Sequence, residues 1–158
     1  PDDWLWHGRH AKLVDGFTVT MPDTEENQRD YPQQKSQAPG VGFPILQVCV
    51  ILSLASACVM DATFGPYAGK ETGETALLRE MLDSFDNGDV LVADRYHCSF
   101  MMIALLMERG VDTCICMHQR RHVDFRRGRR LGKYDHLIEW SRPAKTKWME
   151  EQTYTNIP

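Results

Sequence analysis

Hydrophobic and polar positions fall into short blocks whose period switches along the chain. Residues 11–14, Ala-Lys-Leu-Val, form a brief apolar run ending in Asp15-Gly16 and read as a strand, which residues 17–21 extend past a kink at Gly16. Residues 22–42 form a polar connection rich in Asp, Glu, Gln, Asn and Pro, and connections this long tend to be functional or mobile. The stretch 43–64 is the most apolar, but Ser53, Ser56, Asp61 and Thr63 interrupt it. Its Val48, Val50, Ile51 and Val59 favour two buried strands, near 45–53 and 57–64, over a membrane span. The period then becomes helical over 71–85, with Leu77, Leu78, Met81, Leu82 and Phe85 on one face, a cap at Thr72 or Thr75, and a stop at Asn87-Gly88. A short β run at 89–93 ends in Asp94. A second helix is expected over 97–109, closed by Gly110, then an alternating strand over 111–117 and another over 136–140. Strands and helices in this order predict a mixed α/β layout.

With 158 residues, 42% of them hydrophobic and 25% charged, the chain has the profile of one globular domain or most of one, and disorder is excluded as its main state. The first ten residues carry Asp2, Asp3, Trp4 and Trp6, unlike a secretory signal. The chain does not begin with Met, and its last residues resemble the middle of a sequence; it reads as a piece of something longer. Five scattered cysteines, at 49, 58, 98, 114 and 116, argue against a disulfide framework and for a reducing compartment. The net charge of −4 conceals an asymmetry: residues 1–108 carry 7 Lys+Arg against 16 Asp+Glu, and residues 109–148 carry 11 against 4. A polyanion responds to the local field, so the second block is a candidate nucleic-acid contact.

Asp15 and Asp94 each end an apolar strand, where open α/β sheets place their sites. If the strands are neighbours, the two carboxylates repel unless a cation lies between them, and Mg²⁺, a hard ion taking oxygen ligands, fits that role. Two such ions would activate a water and stabilise a leaving oxygen in phosphodiester cleavage. On spacing alone, ordinary strand-end turns explain both residues as well. Arg120, Arg121, Arg126, Arg127, Arg129, Arg130 and Lys133 place seven cations within fourteen residues, with Phe125 and two glycines interleaved. Their planar guanidinium forks suit phosphate oxygens, and such contacts are strongly salt-dependent. Arg95 is placed either to meet a phosphate or to neutralise its acidic neighbours, and His97 either to act on a proton or, as is more usual at a helix start, to serve the structure. Cys114, Cys116 and His118, with His122 beyond, match no usual zinc spacing and read as buried strand cysteines. Trp4, Trp6, Trp140 and Trp148 suit packing better than base stacking.

Five runs carry a resemblance: Val-Asp-Gly-Phe-Thr-Val-Thr-Met-Pro-Asp-Thr-Glu-Glu-Asn (14–27), Pro-Gly-Val-Gly-Phe-Pro (39–44), Gly-Lys-Glu-Thr-Gly-Glu (69–74), Leu-Val-Ala-Asp-Arg-Tyr-His-Cys-Ser (91–99) and Asp-Phe-Arg-Arg-Gly-Arg-Arg-Leu-Gly-Lys-Tyr-Asp-His (124–136). Together, in this order and across about 10–149, the chain resembles the amino-terminal part of DDE transposases of the insertion-sequence-four type. The resemblance implies an RNase H-like mixed sheet with its first strands antiparallel, strands one and four adjacent and parallel, and helices flanking. It implies a partial catalytic core over 1–118 and the start of a basic, β-rich insertion over 119–158. Asp15 and Asp94 become the first two catalytic metal ligands, for Mg²⁺ or Mn²⁺, and Arg95 with the basic cluster becomes the DNA-binding set. The family's third acid, a Glu in a Tyr-x-x-Arg-x-x-x-Glu pattern on a later helix, is not found. Tyr67, Lys70 and Glu74 have the spacing but precede Asp94, and that match reads as accidental. The implied activity is hydrolysis and strand transfer on transposon-end and target DNA by a homodimer of the full-length protein, in a prokaryotic cytoplasm with the nucleoid. A nuclease of the same fold without strand transfer, and a non-catalytic DNA-binding remnant, are the alternatives.

Overall fold

A computed structural model describes residues 2–69, 72–121, 124 and 126–157. Lys70 of the near-match to the third-acid pattern, His122 of the zinc reading and Phe125 of the basic cluster lie outside the described residues. A 3-10 turn, Asp2–Trp4, precedes the first strand, β1 (Ala11–Thr20). Next come α1 (Glu25–Asp30), β2 (Ile45–Ser53), β3 (Val59–Pro66) and α2 (Glu74–Glu80), which a 3-10 turn at Leu82–Ser84 follows. After β4 (Val90–Ala93) and a 3-10 turn at Arg95–His97 come α3 (Phe100–Glu108), β5 (Asp112–Ile115), β6 (Arg129–Arg130), β7 (His136–Leu137) and α4 (Glu151–Asn156).

Five strands form one sheet in the order β3-β2-β1-β4-β5. β1 pairs antiparallel with β2, and β2 with β3, whereas β1 pairs parallel with β4 and β4 with β5. This is the RNase H-like arrangement that the resemblance implied. β6 and β7 form a separate two-stranded ribbon in the basic region.

Side chains alternate across a strand, so the register assigns each to a face. Val14 lies opposite Ile51 and Ala93, and Lys12 opposite Ser53 and Leu91. These residues are buried beneath α2 and α3, where Leu77, Leu78, Met102 and Leu106 complete the core. Met149 and Ile157 return to the same core from the end of the chain. The opposite face carries Leu13, Phe17, Val48, Phe64 and Val92. It is apolar as well, yet Phe17 is 50% and Phe64 61% exposed. A cation sits within the buried face: Lys12, 1% exposed, pairs through Nζ with Asp89 at 2.6 Å and donates to the Ser84 carbonyl at 2.8 Å.

Several boundaries differ from the sequence reading, for physical reasons. Gly16 does not kink β1, because it pairs in register with Cys49 and the ladder runs on to Thr20. α2 starts at Glu74 with Gly73 at its N-cap, and neither Thr72 nor Thr75 caps it. Ser99 caps α3 by accepting from the Met102 N–H, so Arg95–His97 is a separate turn. α1 and α4 were not predicted. α1 is polar all round, and Thr24 starts it by accepting from the Asn27 N–H.

Candidate functional site

The strands fix the geometry of the two aspartates. In the parallel pair Val14 lies opposite Ala93, and the next residue on each chain is Asp15 or Asp94. β4 ends at Ala93 while β1 continues to Thr20, which leaves a notch beside β1 just beyond the end of β4. Both aspartates flank it, and both are exposed. Local backbone orients each carboxylate: Asp15 Oδ1 accepts from the Gly16 N–H at 2.9 Å, and Asp94 Oδ1 from the Tyr96 N–H at 2.8 Å. That second bond makes Asp94 the cap of the turn at Arg95–His97. Among the described residues no Lys, Arg or His lies within ion-pair distance of either aspartate.

Two further groups from α2 and the turn after β4 enter the notch, and sequence reasoning assigned neither to the site. Glu74 opens α2 and lies over Gly16. Gln47 Nε2, from β2, donates to its Oε1 at 3.1 Å. Burial holds the Glu74 carboxyl above its ordinary pKa, and the charges of Asp94 and then Asp15 push the same way, against the Gln47 hydrogen bond. His97 is buried, and burial lowers its pKa against the opposing pull of Asp94 and Asp15. Its Nε2 stands 3.9 Å from Glu74 Oε2. Beneath the notch, burial first and then the Glu74 and Asp15 charges push the Cys49 thiol up to about 12. The field of both aspartates thus reaches the same neighbours. The signals in the sequence for Glu74 are its place in the 69–74 run and the Tyr67, Lys70 and Glu74 spacing that reads as accidental. Its partners come from β1 and β2, far away in sequence.

Four acid or imidazole groups therefore share this notch, but among the described residues no three His, Cys, Asp or Glu groups close on one point as a ready-made ion cage. Two exposed carboxylates without a cationic partner still form an oxygen donor set that fits a hard divalent ion.

The basic residues lie elsewhere in the sequence, mostly around the β6–β7 ribbon. Arg120, Arg121, Arg126, Arg127, Arg129, Arg130 and Lys133 are all exposed. Asp124 engages two of them: Arg126 at 2.8 Å, which holds the Asp124 carboxyl below its usual range, and Arg127 at 3.8 Å. The Arg121 guanidinium stacks 4.1 Å over the Trp140 ring, and Lys133 lies over Tyr134. Arg95 is exposed beside Asp94.

Cys114 and Cys116 are exposed, which corrects the buried-cysteine reading. β5 is the edge strand, and Cys114, opposite Val92, faces the uncovered side of the sheet. The His118 Nδ1 accepts from the Arg120 N–H at 3.2 Å instead of joining the cysteines. Trp148 packs against the core beneath the Arg79 guanidinium, whereas Trp4 and Trp6 are more than half exposed. No helix among the described residues is long and apolar enough to cross a membrane.

Comparison with known proteins matches residues 6–156 to the family model described as a transposase DDE domain. The transposase InsG for insertion sequence element IS4 of Escherichia coli K12 is 23% identical over 145 residues, 90% of this chain and 32% of the relative. InsZ of the same organism, provisionally named a transposase, is 23% identical over 106 residues, 66% of this chain and 34% of the relative. The chain thus spans about a third of the length of these curated relatives.

Proposed function

The chain belongs to the transposase DDE domain family, and on that premise we propose that it forms the first part of a catalytic core that cuts and joins transposon DNA. The observation that carries this reading is the parallel register of Val14 with Ala93, after which each strand delivers an aspartate into one notch. Asp15 and Asp94 would hold a divalent ion, Mg²⁺ or Mn²⁺, through carboxylate oxygens. Bound there, the ion supplies activation of a water nucleophile and stabilisation of a leaving oxygen at a phosphodiester.

The chain's own residues do the rest. The Gly16 and Tyr96 N–H groups each hold one oxygen of an aspartate, which limits rotation of the carboxylates, and among the described residues the second oxygen of each has no hydrogen-bond donor. Gly16, without a side chain, makes room for Glu74 beside them. The exposed arginines and Lys133 grip phosphates, with Arg95 nearest the aspartates in the chain. A full-length protein with a further acid would complete hydrolysis and then strand transfer by a freed 3′-hydroxyl, and a homodimer would hold the paired DNA ends.

The test has two arms. Fluorescence anisotropy of a labelled duplex with the 158-residue chain should show affinity falling steeply between about 50 and 200 mM salt. In the full-length protein that contains this chain, Asp94→Asn should abolish cleavage and joining while duplex binding persists. Binding that ignores salt, or joining that survives Asp94→Asn, would remove this reading.

A further inference from the structure

Glu74 occupies the same notch as the aspartates, and three neighbours fix it there. Gln47, 5% exposed, donates to Oε1 at 3.1 Å. Gly16 leaves the space: a Cβ on that residue would land on Cγ, Cδ and Oε1 of Glu74. His97, 1% exposed, turns Nε2 towards Oε2 at 3.9 Å, beyond hydrogen-bond reach, and its Nδ1 has no partner among the described residues.

The gap itself points to a ligand: Nε2 makes no hydrogen bond among the described residues and faces Oε2 at 3.9 Å, while the orphaned Nδ1 is the other nitrogen of the ring. Buried ring nitrogens are normally hydrogen-bonded, and where protein partners are lacking a water or an ion supplies the contact. Here the imidazole and the carboxylate face each other across a gap slightly too wide for a direct bond. Oε1 of Glu74 is taken by Gln47 while Oε2 is directed at that gap.

We infer that Glu74 is a further carboxylate of the cation site: a positioning residue that accepts hydrogen bonds from the ion's bound water, with Asp15 and Asp94 as the direct oxygen ligands and His97 closing the notch behind. Mg²⁺ keeps several waters when protein carboxylates bind it, so a third carboxylate has a place without touching the ion. That agrees with the lack of a closed three-residue cage among the described residues. The inference rests on the cation reading of Asp15 and Asp94 above. It differs from the family's third acid, which lies after Asp94 in the chain.

The experiment is titration of Mn²⁺ into the 158-residue chain, with free ion counted by electron paramagnetic resonance, for wild type, Asp15→Asn, Asp94→Asn and Glu74→Gln. The two aspartate variants should lose binding almost completely. Glu74→Gln should weaken it about tenfold or more, the range seen when a group behind a metal ligand is removed. Its melting temperature in EDTA should not fall, because glutamine keeps the Gln47 contact and removes one of three like charges. Wild-type affinity in Glu74→Gln, with binding lost in Asp94→Asn, overturns the inference and leaves the cation reading standing. No Mn²⁺ uptake by wild type, or equal uptake by all four, overturns both. Should glutamine unfold the chain, Glu74→Asp withdraws the charge by one methylene; the same loss is expected, and unchanged affinity there overturns the inference.

Discussion

Glu74 lies directly over Gly16, and the two residues define each other. α2 begins where its first side chain reaches back across β1, and β1 lacks a Cβ at the point it reaches. Gly16 is an ordinary strand position without positive φ, so its reason is space and not backbone freedom. Gly16→Ala should therefore fold, displace the Glu74 carboxylate and break the Gln47 hydrogen bond. The expected cost is about 1 kcal/mol, with the Gln47 side-chain amide signals shifted in the NMR spectrum. Unmoved Gln47 signals would show that the carboxylate was never held there.

The Lys12–Asp89 pair supports a second prediction. Both side chains are buried and 2.6 Å apart beneath β1 and β4. Asp89→Asn leaves a buried ammonium without its nearest anion, and removal of one partner of such a pair costs about 3–5 kcal/mol. Chemical denaturation should show that loss. Because Asp89 immediately precedes β4, Asp94 should become more mobile as well.

Thiol chemistry gives a third. Cys49 and Cys98 are buried, whereas Cys58, Cys114 and Cys116 are exposed. The thiolate is the reactive form, and Cys49 is held protonated by burial and by the Glu74 and Asp15 charges, with a pKa near 12. With a disulfide reagent at pH 8, the native protein should show a fast phase of three thiols. The remaining two should react only on unfolding.

His97 sets the sign of a pH effect. Its folded pKa lies below the ordinary 6.5 because burial disfavours the imidazolium. The unfolded chain therefore binds the proton more readily, and stability present above 6.5 is lost as pH falls through the lowered folded value. Melting temperatures recorded in EDTA should drop over that window in wild type. His97→Gln, which cannot take up a proton, should flatten the drop. An equal drop in both proteins would assign the acid sensitivity to other groups.

Much of the sheet was legible because period-two runs of Val, Ile and Leu leave few alternatives. β2, β3 and β4 fall within two residues of their expected positions, and the polar α1 was missed because a helix without an apolar face has no period to read. Asp15 and Asp94 stand out in the sequence as ends of apolar runs, and five sequence runs link them; Asp94 does follow the end of β4, whereas Asp15 lies within β1, which runs on to Thr20. Glu74 and His97 did not stand out. Their meaning comes from Gln47, Gly16 and the end of β4, all brought close by a crossover that one-dimensional spacing cannot express. Cys114 of β5 and Cys116 just beyond it were misread for a related reason: alternation says that a strand has two faces, but not that one face of an edge strand lies uncovered.

In the function proposed above, Asp15 and Asp94 together receive a divalent ion in the notch beyond β4. Substoichiometric Mn²⁺ added to the ¹⁵N-labelled chain tests it most directly, since the ion broadens the amide signals nearest to it. The signals of Gly16, Arg95 and Tyr96 should broaden first, and Asp94→Asn should abolish the effect. Broadening centred instead on the acidic residues Asp23, Glu25, Glu26 and Asp30, or unchanged by Asp94→Asn, would contradict the account.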